Sequence, residues 1–262
     1  MLDLSHYNAI LLDMDGVLYR GDMPLPGVNE LLALCARRSI AYACVTNNST
    51  LTPEQYEAKL AKMGIAMPAA RVITSSTATR HFLEHEFARG TPAYYVGMRG
   101  LREALFGDGY FVYDEQQPQL VVSGLDTELT YQKLKIATLA LRAGARYVAT
   151  NPDATLPTDE GLVPGAGSIV ALLRAASDAQ PTVIGKPASA MFHTAIEILG
   201  ADPQRTLAIG DRLDTDIAGA VAAGLASVLV LTGVATREQL ELSELQPSAV
   251  FAGLPELVAA WG

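Results

Sequence analysis

The sequence predicts an α/β fold: a parallel-sheet core into which a smaller α/β domain is inserted. Three observations point there. Short, near-continuous apolar runs alternate with helix-length amphipathic segments along the chain, the pattern of a parallel sheet covered on both faces. The late apolar runs read like the opening ones, while the middle has its own strands and longer loops. The core would then be built from residues 1–78 and 184–262, with 79–183 inserted between them. Finally, 262 residues of which 50% are hydrophobic bury a sizeable core unaided, but fall short of two full-sized domains.

Taken in order, residues 9–12 form an apolar strand ending at Asp13, and 28–38 an amphipathic helix with Leu31, Leu32, Leu34 and Cys35 near one face. Residues 41–45 are a second apolar strand, ending at Thr46. A helix over 53–63 opens with Thr52 and Pro53 and closes at Gly64, in keeping with capping preferences. The middle offers strands at 93–96, 120–122 and 147–149, helices at 99–105, 130–143 and 167–176, and loops at 107–119 and 151–165. The opening style then returns, with a strand at 182–184, a helix near 189–199, a strand at 206–209, a helix near 215–223 and a strand at 228–231. Strand and helix alternation of this kind is Rossmann-like.

Composition excludes several classes. The formal net charge is −9, from 28 acidic and 19 basic residues. That argues against nucleic acid or an anionic membrane as partner, since both need basic patches. No stretch approaches a membrane-spanning length of uninterrupted apolar residues. The opening MLDLSHYN lacks a basic region followed by an apolar run, so no signal peptide is expected. Cys35 and Cys44 have neither CxxC spacing nor a disulfide framework, and read as buried free thiols of a cytoplasmic protein.

The chemistry gathers at strand ends, where functional groups collect in open parallel sheets. Asp13-Met14-Asp15-Gly16 places two acids at one tip; one can bind a cation or attack an electrophile while the other moves protons. Thr46-Asn47-Asn48-Ser49 offers a hydroxyl, amides and backbone N–H groups to phosphate oxygens. Gly185-Lys186-Pro187 brings a point positive charge after the 182–184 run. Gly210-Asp211-Arg212-Leu213-Asp214-Thr215-Asp216 supplies hard oxygen ligands suited to Mg²⁺. Together these suit phosphoryl transfer, although an Asp/Gly-rich turn alone has a plain structural explanation.

DMDGVL (13–18), TNNS (46–49), GKP (185–187) and GDRLDTDI (210–217) resemble the four motifs of the haloacid dehalogenase superfamily. VSGLD (122–126), TNPD (150–153) and PGAGS (164–168) resemble its NagD-like subgroup, which includes 4-nitrophenylphosphatases and phosphoglycolate phosphatases and carries a large α/β cap. The resemblance implies an Mg²⁺-dependent phosphatase of small phosphomonoesters. It makes Asp13 the nucleophile that becomes an aspartyl phosphate and Asp15 the acid and base. Thr46, Asn47 and Asn48 would hold phosphoryl oxygens, and Lys186 would neutralise charge. Mg²⁺ would be held by Asp13, the Asp15 carbonyl, Asp211 and Asp216, the last directly or through water. A solvated helix-start role suits Asp214 equally well. The resemblance also implies a small phosphorylated metabolite as partner, with a homodimer through the cap as an option.

Asn151 and Asp153 are either turn formers or cap residues that touch the leaving group. A phosphomutase, or a phosphate-binding module without turnover, remains an alternative. The H-x-x-E-H run at His81–His85 lacks a visible third zinc ligand and reads as a polar helix face.

Overall fold

The computed structural model describes residues 2–158 and 160–262. The chain falls into two compact units, one of Met1–Thr46, Pro53–Ile73 and Lys186–Gly262, the other of Asn47–Thr52 and Thr74–Gly185. No helix among the described residues is long and apolar enough to cross a membrane.

The first unit is built on a six-stranded sheet in the order Ala249–Phe251, Ala226–Val230, Thr206–Gly210, Ala9–Leu12, Ala41–Thr46, Val72–Thr74. Every residue of Ala9–Leu12 and of Thr206–Gly210 is buried, which is why these strands read as unbroken apolar runs. Both neighbours of Ala9–Leu12 run parallel to it, with Leu12 opposite Ile209 on one side and Cys44 on the other. The chain moves outward from this central strand in one direction, then returns and moves outward in the other. Strand order therefore reverses at Ala9–Leu12, and the carboxyl tips flanking that reversal are where such sheets open a crevice.

Helix Val28–Arg38 buries Val28, Leu31, Leu32, Leu34 and Cys35 and lies against helix Leu254–Trp261. Its start requires glycine. Gly27 has φ +87°, and a Cβ there would sit 2.7 Å from the Pro255 nitrogen. Cys35 and Cys44 are buried free thiols; burial pushes the Cys44 thiol well up, with Asp13 adding to it.

The second unit holds a five-stranded parallel sheet in the order Thr182–Val183, Arg146–Ala149, Leu120–Ser123, Pro92–Val96, Val112–Tyr113. Helices Tyr131–Arg142 and Ala166–Ser177 pack together over a cluster that includes Tyr94, Val96, Val121, Leu141, Tyr147, Ile169 and Leu173. Thr130 caps the first of these helices, accepting the Lys133 N–H at 3.2 Å.

Three expectations are corrected. The strand read at 182–184 does not rejoin the first sheet: Thr182–Val183 pairs with Arg146–Ala149 in the second. Two residues carry no periodicity that could assign them to a sheet. The loop read at 151–165 contains an antiparallel ribbon, Thr155–Thr158 with Gly161–Pro164, whose largely exposed residues leave no buried face to read. The helix read at 215–223 starts as a wide turn over Leu213–Ile217, the Ile217 N–H reaching back to the Arg212 carbonyl at 3.1 Å, and becomes α-helical only at Ala218–Ala222.

Leu173 is fully buried in the second unit's cluster. Leu173→Ala is expected to cost about 2–5 kcal/mol by cavity formation. Urea unfolding of the two proteins measures it, and a loss under about 1 kcal/mol would contradict this packing.

Candidate active site

Within the first unit, Asp13 follows the central strand directly, its N–H donating to the Ile209 carbonyl at 2.9 Å. Lys186 reaches the same point. The residue is only 3% exposed, and its ammonium donates to Asp13 Oδ1, to Asp216 Oδ1 at 2.6 Å and to the Val45 carbonyl at 3.0 Å. Three donors thus meet three oxygens, the arrangement a buried ammonium needs. The two carboxylates hold the lysine firmly protonated, against the opposing effect of burial. Lys186 does follow a strand, but Thr182–Val183 belongs to the other sheet, so the lysine arrives from the loop between that strand and helix Ala190–Leu199 and not from a strand of the first sheet.

The wide turn after Gly210 has a local purpose. It curls Asp216 back so that its Oδ2 accepts the backbone N–H groups of Asp211 at 3.2 Å and Arg212 at 3.1 Å. A Cβ on Gly210 would lie 2.2 Å from the Asp216 Cβ, so only glycine lets the carboxylate fold that close. Asp211 is gripped in the same way. Val234 donates to its Oδ2 at 2.7 Å, and a Cβ on Gly233 would fall 1.8 Å from that oxygen, one on Gly16 2.5 Å from it. Carboxylate oxygens of Asp13, Asp211 and Asp216 all lie within 4.8 Å of one another, a donor set that fits a hard divalent cation.

Like charges so close, and out of water, resist ionisation. Burial first, then Asp216 and Asp211, push the Asp13 carboxyl well above the carboxylate range, with Lys186 pulling back. Burial and Asp216 push Asp211 up to about 6. Asp214 is different: it faces Arg212 in a bidentate pair at 3.0 and 2.8 Å, which holds its carboxyl low, and it stands outside the cluster.

Asp15 is exposed, and the isolated bridge Asp15–Tyr19 together with the Gly16 N–H on the Tyr19 carbonyl at 2.8 Å ties its turn. The protein around it raises its carboxyl; Lys59, the Tyr19 hydroxyl and Lys186 pull the other way. Thr46 is buried at the end of its strand, where Tyr56 shares a hydrogen bond with it.

Within the second unit, Asn47 Nδ2 donates to Asp153 Oδ2 at 2.8 Å, and Asn151 Nδ2 donates to the same oxygen at 2.7 Å. Ser75 Oγ donates to the Asn47 carbonyl at 2.6 Å. Asn48 Oδ1 accepts the Thr50 N–H at 2.8 Å and the Thr50 hydroxyl at 2.7 Å, closing the turn. Asp126, from the VSGLD run, pairs with Lys133 at 2.8 Å. Sequence reasoning missed Lys59, Tyr19 and Tyr56, which show only ordinary helix and strand patterning.

Two family models match the chain, haloacid dehalogenase-like hydrolase over residues 10–110 and HAD-hydrolase-like over residues 183–257. An acid sugar phosphatase of Staphylococcus saprophyticus is 36% identical over 97% of this chain and 98% of its own. The chain belongs to the haloacid dehalogenase-like hydrolases. Among solved structures, a 4-nitrophenylphosphatase from Thermotoga maritima is 38% identical with full coverage of both chains and a TM-score of 0.94. A glycerol phosphate phosphatase from Mycobacterium tuberculosis, in complex with magnesium, is 36% identical over 97% of this chain and 77% of its own, with a TM-score of 0.87. This hydrolase falls in the NagD-like group of phosphatases.

The raised carboxyls give a stability prediction for the hydrolase in chelator. An acid with a raised folded pKa stabilises the fold while protonated in both states, and loses that contribution as pH climbs from the ordinary value near 4 through the folded value. For Asp211 the folded value is about 6. The melting temperature should fall between pH 4.5 and 7, and Asp211→Asn should remove much of the fall; differential scanning fluorimetry reads both, and a flat wild-type profile would contradict the cluster's electrostatics.

Proposed function

We propose that the chain is an Mg²⁺-dependent phosphatase that hydrolyses small phosphomonoesters through an aspartyl phosphate. The observation that carries this is the Lys186 ammonium bridging Asp13 and Asp216 beside Asp211, with Asp15 two residues along the same turn. Asp13, Asp211 and Asp216, with the Asp15 backbone carbonyl, would hold Mg²⁺. A bound Mg²⁺ supplies positive charge that offsets the acidic cluster and the phosphoryl oxygens.

An Asp13 carboxylate oxygen attacks phosphorus as the bond to the leaving oxygen breaks, and Asp15 gives that oxygen its proton. Asp15, now ionised, takes a proton from water; the water oxygen attacks phosphorus, and the Asp13–phosphorus bond breaks to release phosphate. Lys186 favours the ionised form of Asp13 against the pull of burial and orients it. Thr46 and the adjoining Asn47 and Asn48 offer donors to phosphoryl oxygens. Asp153 fixes the side chains of Asn47 and Asn151, which favours an organising task for it over direct contact with the leaving group. Sugar phosphates, glycerol phosphate and 4-nitrophenyl phosphate are the substrate candidates that the relatives suggest.

Release of 4-nitrophenol from 4-nitrophenyl phosphate tests this. Activity should need Mg²⁺ and vanish in chelator. Asp13→Asn and Asp15→Asn should each lower kcat by about a thousandfold or more, while Asp15→Asn keeps Mg²⁺ affinity by calorimetry. Full activity in chelator, or in Asp15→Asn, would overturn the mechanism.

A further inference from the structure

Lys59 takes no part in the mechanism proposed for the site. Lys59 sits in the last turn of helix Pro53–Lys62, half-buried, with its ammonium 4.3 Å above the centre of the buried Tyr19 ring. Among the described residues it forms no ion pair. An aromatic face fixes an ammonium without neutralising it, so the positive charge is held in place but kept.

Its position relates it to Asp15. Tyr19, its perch, is bridged to Asp15 and accepts the Gly16 N–H. The Tyr19 hydroxyl hydrogen-bonds the Asp15 carboxyl, so an ammonium held over the Tyr19 ring stands on the Asp15 side of the site. Asp15 addresses the leaving oxygen, whereas Lys186 is bound to the nucleophile. With Asp13 and Asp15 in those roles, Lys186 serves the phosphoryl half of the substrate and Lys59 stands towards the leaving-group half. A half-buried cation without a carboxylate partner beside the leaving group is a receptor for negative charge, and a fixed ammonium binds carboxylate and phosphate alike.

We propose that Lys59 recognises a second anionic group, carboxylate or phosphate, on the leaving-group half of the substrate. This rests on the phosphatase reading and on Asp15 as proton donor. The preferred substrates would then be phosphomonoesters whose alcohol carries its own negative charge.

Two matched pairs test this: 3-phosphoglycerate against glycerol 3-phosphate for a carboxylate, and fructose 1,6-bisphosphate against fructose 6-phosphate for a second phosphate. Steady-state kinetics are measured on wild type, Lys59→Met and Lys59→Arg. Wild type should favour the charged member of at least one pair. In Lys59→Met the charged-to-neutral ratio of kcat/KM should fall about tenfold or more, the scale of one charge-assisted hydrogen bond, mainly through KM. Lys59→Arg should restore most of it. The pair that responds identifies the anion. An unchanged ratio, or equal losses on both members of each pair, would overturn the inference while leaving the phosphatase reading standing. No phosphate release by wild type from any of these esters or from 4-nitrophenyl phosphate would overturn both.

Discussion

The buried ammonium of Lys186 is the interaction on which the first unit's chemistry depends. Asp13 and Asp216 come from segments about two hundred residues apart, and the Lys186 ammonium between them offsets the repulsion of two carboxylates out of water. The lysine also takes the Val45 carbonyl, so one group joins the tips of the central strand, its Ala41–Thr46 neighbour and the turn after Thr206–Gly210. Removing it would leave two buried carboxylates facing each other, a fault far larger than one lost hydrogen bond. The same residue thus orders Asp13 and makes the acidic cluster tolerable.

The backbone around the cluster is shaped for this. Strand order reverses at Ala9–Leu12, so that strand's tip is flanked by Ala41–Thr46 on one side and Thr206–Gly210 on the other. The turn at Leu213–Ile217 departs from regular helix, and within it Asp216 accepts the backbone N–H groups of Asp211 and Arg212. Local helix geometry yields to the demand of a buried carboxylate for hydrogen bonds.

Much of this was legible in the sequence, for a physical reason. Buried parallel strands must be apolar along their length, so the runs at 9–12, 41–45 and 206–209 announce themselves, and the polar residue after each marks a tip. The illegible parts lack such a signature. Thr182–Val183 is too short to declare its sheet. The ribbon at Thr155–Pro164 carries Pro157 and almost no buried residue. Asp153 meets Asn47 across 106 positions, and nothing near either residue foretells it. Lys59 looks like any basic residue in a helix's last turn until its ring partner, forty positions earlier, is seen beneath it. Sequence patterning reports burial and periodicity; it does not report which distant side chains share a point in space.

Gly16, Gly210 and Gly233 give the acidic cluster an unusual vulnerability. The space that Asp211 and Asp216 occupy exists because three residues have no side chain, so the cluster is defined by what is missing as much as by its carboxylates. A single added methyl group at Gly233 or Gly210 would displace an acid while every functional group remained in the chain. A lineage could therefore lose this site with Asp13, Asp15, Asp211, Asp216 and Lys186 all intact, and an inventory of reactive residues would not register the loss.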